Sequence, residues 1–310
     1  MTEIASNTSK PWRIEFLESP VDKTLIRFGT WAKDPEKVRI GLIFLNGRSE
    51  WIEKYDNLPI DLNLGDEVLW VTMDHRGQGA SGGSRAHVDT YEDFARDTAA
   101  VAAAAFGPHL PYCILTHSMG GLIALTAVLK GLLHPQVMVL CSPLLAIPHE
   151  PLHRSIAKPL ARLIAKSSWK KRATGAKTKR EANFHSNTLT HSLQGFQRIV
   201  NSPFPYESPT FGWVHATFDA CDRAFDPAAL RGLHCPVKII YGSQEKVVDP
   251  SVFALWCDLA QKAQTEPIEI IRIPDGRHEL FNEIPRLRNK AITQARDWFL
   301  SFGPFLNTKS

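Results

Sequence analysis

Pro111-Tyr-Cys-Ile-Leu-Thr-His-Ser118-Met-Gly-Gly121 is the stretch that decides the fold. A short apolar run ends at Thr116 and His117. A serine follows, then two glycines, then an apolar run from Leu122 to Leu129. Strand, sharp turn, serine and helix is the setting in which Gly-x-Ser-x-Gly becomes a nucleophile elbow, with the hydroxyl raised at the top of a sheet. Strand and helix approach closely there, so small residues flank the serine. Gly120 fills the last position, whereas Thr116 stands where the first glycine belongs and brings a β-branched side chain into the contact. A helix starting at the serine points its free N–H groups at the site, which makes the Met119 N–H a candidate oxyanion donor. Taken alone, the pattern fits an ordinary strand-to-helix turn with a solvent-exposed serine equally well.

The surroundings of this stretch decide between the two. Trp12 to Leu17 and Leu25 to Trp31 alternate, as antiparallel strands at a sheet edge do. Val38 to Leu45, Glu67 to Met73 and Gln136 to Cys141 are continuous apolar runs, the pattern of strands buried on both faces. Between them lie helical patterns. Ser49 to Leu62 carries Trp51, Ile52, Tyr55 and Leu58 on one face, with Pro59 disturbing its end. Thr90-Tyr-Glu-Asp93 resembles a capping box opening an alanine-rich helix through Ala105. This alternation predicts an α/β fold with a mostly parallel sheet and helices on both faces. The glycine-rich segment from Asp74 to Gly83 lacks the lysine of a phosphate-binding loop and leads into no immediate helix, so it reads as a structural turn beside the site.

The alternation stops at about residue 146 and resumes at about 233. The predicted organisation is therefore a core of residues 1–145 and 233–310, with a mainly helical cap, 146–232, inserted over the sheet. Charge is concentrated in this insertion. From Arg154 to Arg180 there are ten lysines and arginines and no acid, whereas the rest of the chain is net acidic. Pro159 can open a helix there, with Leu160, Leu163 and Ile164 on one face and Arg162 and Lys166 on another. A basic amphipathic segment fits anionic lipid. Nucleic acid is not expected, because Trp169 is the only aromatic residue among these charges. A solvated basic face with no partner is the plain alternative.

Composition narrows the classes further. In 310 residues, 44% hydrophobic and 22% charged, no run reaches the length of a membrane-spanning helix, and the first ten residues lack the apolar core of a signal peptide. The five cysteines are scattered, with no Cys-x-x-Cys pair. Cys113 and Cys141 lie in apolar runs as buried thiols, which argues for a reducing compartment and against structural zinc. The expected location is the cytoplasm, with peripheral contact to the inner face of a membrane through 154–180.

Two late strands bring the remaining chemistry. Val237 to Tyr241 ends in Gly242-Ser-Gln-Glu245-Lys-Val-Val-Asp249-Pro250, and Ile268 to Ile273 ends in Pro274-Asp-Gly-Arg-His278. Serine, then acid, then histidine is the chain order of the α/β-hydrolases. His278 is the expected general base toward Ser118. His117 is not cast in that role, because neighbours in an elbow point apart. Glu245 and Asp249 compete as the acid. Asp249 precedes a proline and a helical pattern, which makes it a natural N-cap, so Glu245 is favoured. Asn46-Gly47-Arg48, at the end of the Val38–Leu45 strand, marks where a second oxyanion donor would lie, the Arg48 N–H. An ordinary turn fits those residues as well. This chemistry calls for no metal and no cofactor.

Taken together, Leu45-Asn-Gly-Arg-Ser-Glu-Trp-Ile-Glu-Lys-Tyr55, Asp74-His-Arg-Gly-Gln-Gly-Ala-Ser81, His117-Ser-Met-Gly-Gly121 and His278-Glu-Leu-Phe-Asn-Glu283 resemble the bacterial lysophospholipase L2 and monoacylglycerol lipase group of serine hydrolases, a serine aminopeptidase-like branch of the α/β-hydrolases. The resemblance covers roughly 12–145 and 233–300. It implies Ser118 as nucleophile, His278 as base and Glu245 as acid, with Glu where many members carry Asp. Most relatives have His-Gly where this chain has Asn46-Gly47. The implied substrate is a lysophospholipid or monoacylglycerol. A general carboxylesterase or an aminopeptidase of the same fold would keep the triad. An aminopeptidase should offer acids in the cap to hold an amine, and Glu181 and Glu207 are the only glutamates there after Glu150. A non-catalytic binding protein on a hydrolase scaffold is the third reading.

Overall fold

A computed structural model of the protein describes residues 12–148, 154–175 and 183–304. The first ten residues fall outside them, as do Glu150, Glu181 and three cations of the basic run, Lys177, Lys179 and Arg180.

Eight strands form one sheet: β1 Arg13–Glu18, β2 Leu25–Trp31, β3 Ile40–Leu45, β4 Val68–Met73, β5 Tyr112–His117, β6 Met138–Cys141, β7 Val237–Gly242 and β8 Ile268–Ile273. Their order is β1-β2-β4-β3-β5-β6-β7-β8. The first two pairings, β1 with β2 and β2 with β4, are antiparallel, and all later ones are parallel. This is the α/β-hydrolase fold. Every residue of β3 and β6 is buried, as continuous apolar runs require when both sheet faces are covered. The chain leaves β3 toward β4 on one side and returns to β5 on the other. The carboxyl ends of β3 and β5 therefore flank a switch point, the usual place for a site in such sheets.

The helices are α1 Leu58–Leu62, α2 Tyr91–Phe106, α3 Met119–Leu129, α4 Arg154–Ala165, α5 Leu193–Val200, α6 Phe211–Ala224, α7 Pro227–Leu230, α8 Phe253–Ala263 and α9 Pro285–Phe302. One core, with Phe94, Leu122, Ile123, Phe253 and Trp256, packs on one face of the sheet. The other, with Trp70, Leu287, Trp298 and Phe299, packs on the opposite face. Each such side chain contributes about 1.5–3 kcal/mol on burial. α3 has no polar face, since every residue from Met119 to Val128 is buried, with α2 and α6 packed against it. α2 begins at the expected capping box, with the Thr90 N–H donating to Asp93. Cys113 and Cys141 are buried free thiols. No helix among the described residues is long and apolar enough to cross a membrane.

Two local expectations fail at prolines. Ser49–Leu62 is not one helix but a 3-10 turn, Ile52–Tyr55, followed by α1. Pro59 lies in the first turn of α1, where its missing N–H is harmless. Inside a continuous helix its ring would meet the preceding turn. Pro159, conversely, does not open its helix but lies inside α4. Packing along α6 carries the helix back past the proline: Ala161 is buried there and Lys158 pairs with Asp222. The gain comes at the loss of an intrahelical bond. The apolar residues of α4 consequently face outward. Ile156, Leu160 and Leu163 are 57%, 46% and 70% exposed, and Trp169 beyond the helix is 57% exposed.

Candidate active site

Ser118 sits between β5 and α3 with φ 53° and ψ −117°. That left-handed region is strained for a residue with a side chain and persists only where the surroundings fix it. Three backbone bonds do so. The Ser118 N–H donates to the Cys141 carbonyl at 2.9 Å, and the Gly121 and Leu144 N–H groups donate to the Ser118 carbonyl, each at 3.0 Å. Gly120 is required by contact, because a Cβ there would lie 2.1 Å from the Leu45 carbonyl oxygen. Thr116 is accommodated by the second glycine. A Cβ on Gly121 would fall 3.3 Å from Thr116 Oγ1, so Gly121 leaves the room that Thr116 occupies.

Glu245 and His278 come together because the loops after β7 and β8 touch. The Gln244 N–H donates to the Gly276 carbonyl at 2.8 Å, and a Cβ on Gly242 would lie 2.1 Å from that same oxygen. His278 Nδ1 is 2.7 Å from Glu245 Oε2. Glu245 Oε1 accepts from the Val247 and Val248 N–H groups at 2.7 and 3.2 Å. Burial works against ionisation of Glu245, but His278 and these two N–H groups outweigh it and hold its carboxyl at about 2. An ionised carboxylate only accepts, so a neutral His278 carries its proton on Nδ1 and keeps Nε2 as an acceptor. Asp249 does something else: its Oδ1 accepts from the Ser251 N–H at 3.0 Å and caps the 3-10 turn Pro250–Val252.

Ser118 and His278 line one cavity of about 230 Å³, together with Arg48 and Met119. The rest of its apolar wall comes from Leu144, Ile147, Leu189, Ile199, Tyr206 and Trp213. The loop after β3 is held at both sides of Arg48. The Gly47 N–H donates to Glu50, and the Ser49 N–H donates to Gln78 of the glycine-rich turn. Asn46 Nδ2 donates to the Met73 carbonyl at 3.0 Å, and the Asn46 carbonyl lies 3.2 Å from His75 Nε2. Burial pulls His75 down to about 4, so it stays neutral. Met119, first in α3, is among the N–H groups a helix leaves without an internal acceptor.

In the cavity wall lies a buried charge network that the sequence reading did not single out. Lys54 Nζ is 2.6 Å from Glu50 Oε1 and 2.8 Å from Glu279 Oε2. Tyr55 donates to Glu50 Oε1 at 2.9 Å, and His117 Nδ1 lies 3.2 Å from Glu50 Oε2. His117 Nε2 faces the His278 carbonyl at 3.3 Å. Burial would raise the Glu50 carboxyl, yet Lys54 and His117 hold it well below its usual range. Burial opposes the charge on His117 in the same way, and Glu50 raises it nonetheless. Glu50 and Lys54 are four apart, a spacing that ordinarily marks a surface pair, and only their place beside the apolar Trp51, Ile52 and Tyr55 hinted at burial.

Residues 36–285 match the family model described as serine aminopeptidase, S33. The lysophospholipase L2 of Escherichia coli strain K12 is 30% identical, over 90% of this chain and 85% of its own length. The monoacylglycerol lipase of Mycolicibacterium smegmatis is 22% identical, over 83% of this chain and 87% of its own. Among solved structures, a soluble variant of the monoglyceride lipase from Saccharomyces cerevisiae superposes with a TM-score of 0.74 at 16% identity, covering 97% of this chain and 99% of that one. A carboxyl esterase from Bacillus coagulans reaches 0.78 at 16% identity, covering 94% and 98%. The structural likeness shows the fold, and the match over most of the chain shows the lineage: the protein belongs to the serine aminopeptidase S33 family of α/β-hydrolases.

Proposed function

We propose that the protein is a serine hydrolase that cleaves carboxylic esters of lipids, a lysophospholipid or a monoacylglycerol, through an acyl-enzyme. The observation that carries this reading is the 2.7 Å contact of His278 Nδ1 with Glu245, on the wall of the cavity that also holds Ser118 in its elbow. His278 Nε2 takes the Ser118 proton as Oγ attacks the ester carbonyl, then returns it to the leaving alcohol. Water repeats the sequence to free the acid. Glu245 is the acid of the triad: it fixes the tautomer and stabilises the imidazolium. The Met119 and Arg48 N–H groups receive the oxyanion. Residues 146–232 act as a cap, and their apolar side chains in the cavity hold the acyl chain. An aminopeptidase reading is less well supported, because the carboxylates of the cavity wall, Glu50 and Glu279, are already paired with Lys54.

The same reading includes peripheral contact with anionic lipid. Ile156, Leu160, Leu163 and Trp169 are exposed on a segment rich in cations, and a helix lying in an interface has this character. Two experiments test the proposal. Long-chain monoacylglycerol, lysophosphatidylcholine and p-nitrophenyl esters should be turned over by the protein and left intact by Ser118→Ala; no turnover and no labelling by a fluorophosphonate would remove it. Cosedimentation with anionic but not neutral vesicles, lost in Leu163→Glu, should mark the lipid contact.

A further inference from the structure

Arg48 follows the Asn-Gly turn and forms part of the cavity wall with Ser118 and His278. Its guanidinium is held in place without being neutralised. Nη1 donates to the Glu207 carbonyl at 3.1 Å and Nη2 to the Tyr206 hydroxyl at 2.9 Å. Its Cζ lies 5.2 Å from the centre of the Tyr206 ring and 5.6 Å from that of Trp213. Such stacking fixes the plane of a guanidinium and leaves its charge intact. Among the described residues, no carboxylate lies within ion-pair distance of Arg48.

The other charges of the cavity wall are balanced. Lys54 faces Glu50 and Glu279, and His117 faces Glu50. The pocket next door shares Arg48, Ser49 and Trp213 with the cavity and adds Arg85. The Arg85 guanidinium donates to the Gly79 carbonyl at 2.9 Å and likewise has no carboxylate partner among the described residues. Arg76 in the same pocket is committed to Asp97 and Asp22. An unpaired, preorganised guanidinium in a cavity of otherwise matched charges favours a bound anion, and a planar fork favours phosphate oxygens above all.

We propose that Arg48 binds the phosphate of a lysophospholipid headgroup and so selects phosphate-bearing acyl esters over neutral monoacylglycerols. This deepens the lipid-ester reading above and rests on it. The geometry suits such a substrate. Arg48 would offer its backbone N–H to the oxyanion and its guanidinium to the phosphate. An extended arginine side chain is comparable in length to the glycerol unit that separates an acyl carbonyl from its phosphate. Arg85 lines the adjoining pocket, where it adds a second positive charge.

The test compares kcat/KM for lysophosphatidylglycerol and for monoacylglycerol of the same acyl chain, both in neutral detergent micelles so that surface charge does not intervene. Wild type should favour the phosphate-bearing substrate. Arg48→Gln should lose about ten- to one-hundred-fold more on it than on monoacylglycerol, the range of a charge-assisted hydrogen bond. Arg48→Lys should fall between the two. Equal losses on both substrates, or a wild type that prefers monoacylglycerol, would overturn the inference and leave the ester hydrolase standing. A wild type that cleaves neither substrate overturns both. Fluorophosphonate labelling reports whether each variant keeps a formed site. Should Arg48→Gln fail to fold, wild-type hydrolysis of a short neutral ester decides the matter. Glycerol 3-phosphate should inhibit it competitively, and glycerol should not. No inhibition, or inhibition by inorganic phosphate just as strong, counts against a lipid-headgroup subsite.

Discussion

Replacing Lys54 by methionine removes one charge from the buried network and keeps the aliphatic stem that packs there. Two carboxylates lose their cation, Glu50 at 2.6 Å and Glu279 at 2.8 Å, and the Lys54 side chain is 2% exposed. With charge centres about 4 Å apart and an effective dielectric near 20, each pair is worth roughly 4 kcal/mol before desolvation. Desolvation returns part of this, and breaking a buried pair costs about 3–5 kcal/mol on balance. The variant has one escape, protonation of one carboxylate. At pH 8 that costs roughly 5 kcal/mol against an unfolded glutamate titrating near 4.3, and at pH 5 roughly 1 kcal/mol. In wild type the Glu50 carboxyl is depressed, so its stabilisation is present above the unfolded pKa and is lost only as pH falls through the lower folded value. In the variant a carboxyl is raised instead, so its penalty grows as pH climbs above the unfolded pKa. Urea unfolding at both pH values should therefore give a deficit of about 3–5 kcal/mol at pH 8 that shrinks to about 1 kcal/mol at pH 5. A deficit below about 1 kcal/mol at pH 8, or one independent of pH, would refute the reasoning, because lost packing carries no proton linkage.

The other predictions address the serine, the acid and the elbow. Ser118→Ala should abolish ester turnover and fluorophosphonate labelling while leaving the melting temperature within a few degrees, since Ser118 Oγ is no part of the bonds that hold the turn. Glu245→Gln should lower kcat by about 10⁴-fold, as loss of the tautomer-fixing acid does elsewhere. Asp249→Ala should cost only about 1 kcal/mol of stability as a missing cap. A collapse of activity in Asp249→Ala with little change in Glu245→Gln would reverse the assignment of the acid. Gly120→Ala puts a methyl group 2.1 Å from the Leu45 carbonyl and should cost about 3 kcal/mol or more by thermal unfolding. Gly131→Ala, at φ 68° with nothing within 4 Å of the new Cβ, should cost about 1 kcal/mol. Comparable losses in the two glycine variants would remove the steric argument for the elbow.

What the sequence made legible was periodic or local. The central strand runs were visible because burial on both sheet faces admits no polar alternation, and β3, buried throughout, lies within the run read at Val38 to Leu45. Local grammar failed where tertiary packing competed with it. Pro159 looked like a helix start, but α4 extends past it because Ala161 is buried and Lys158 pairs with Asp222 of α6. Glu50 and Lys54 stand four apart, and that spacing alone does not reveal that Glu279, far along the chain, completes the pair from the other side.

The departures from the motif are the more instructive case, because each is answered in space by a residue whose role is silent in the sequence. Thr116 is tolerated because Gly121 leaves a gap beside its hydroxyl. Asn46 holds the strand-end turn through the Met73 carbonyl, and the neutral His75 holds it from the other side. A β-branched residue in the elbow and an asparagine in the loop after β3 weaken the pattern when counted one position at a time. Counted as contacts they do not, since the close approach of strand and helix and the fixed carbonyl are both still present. Position-by-position matching therefore underestimates such a site. The stronger criterion is whether a strained serine and a histidine held by a depressed carboxyl share one cavity; Ser118 and His278 line it here, and Glu245 holds His278 Nδ1 from behind.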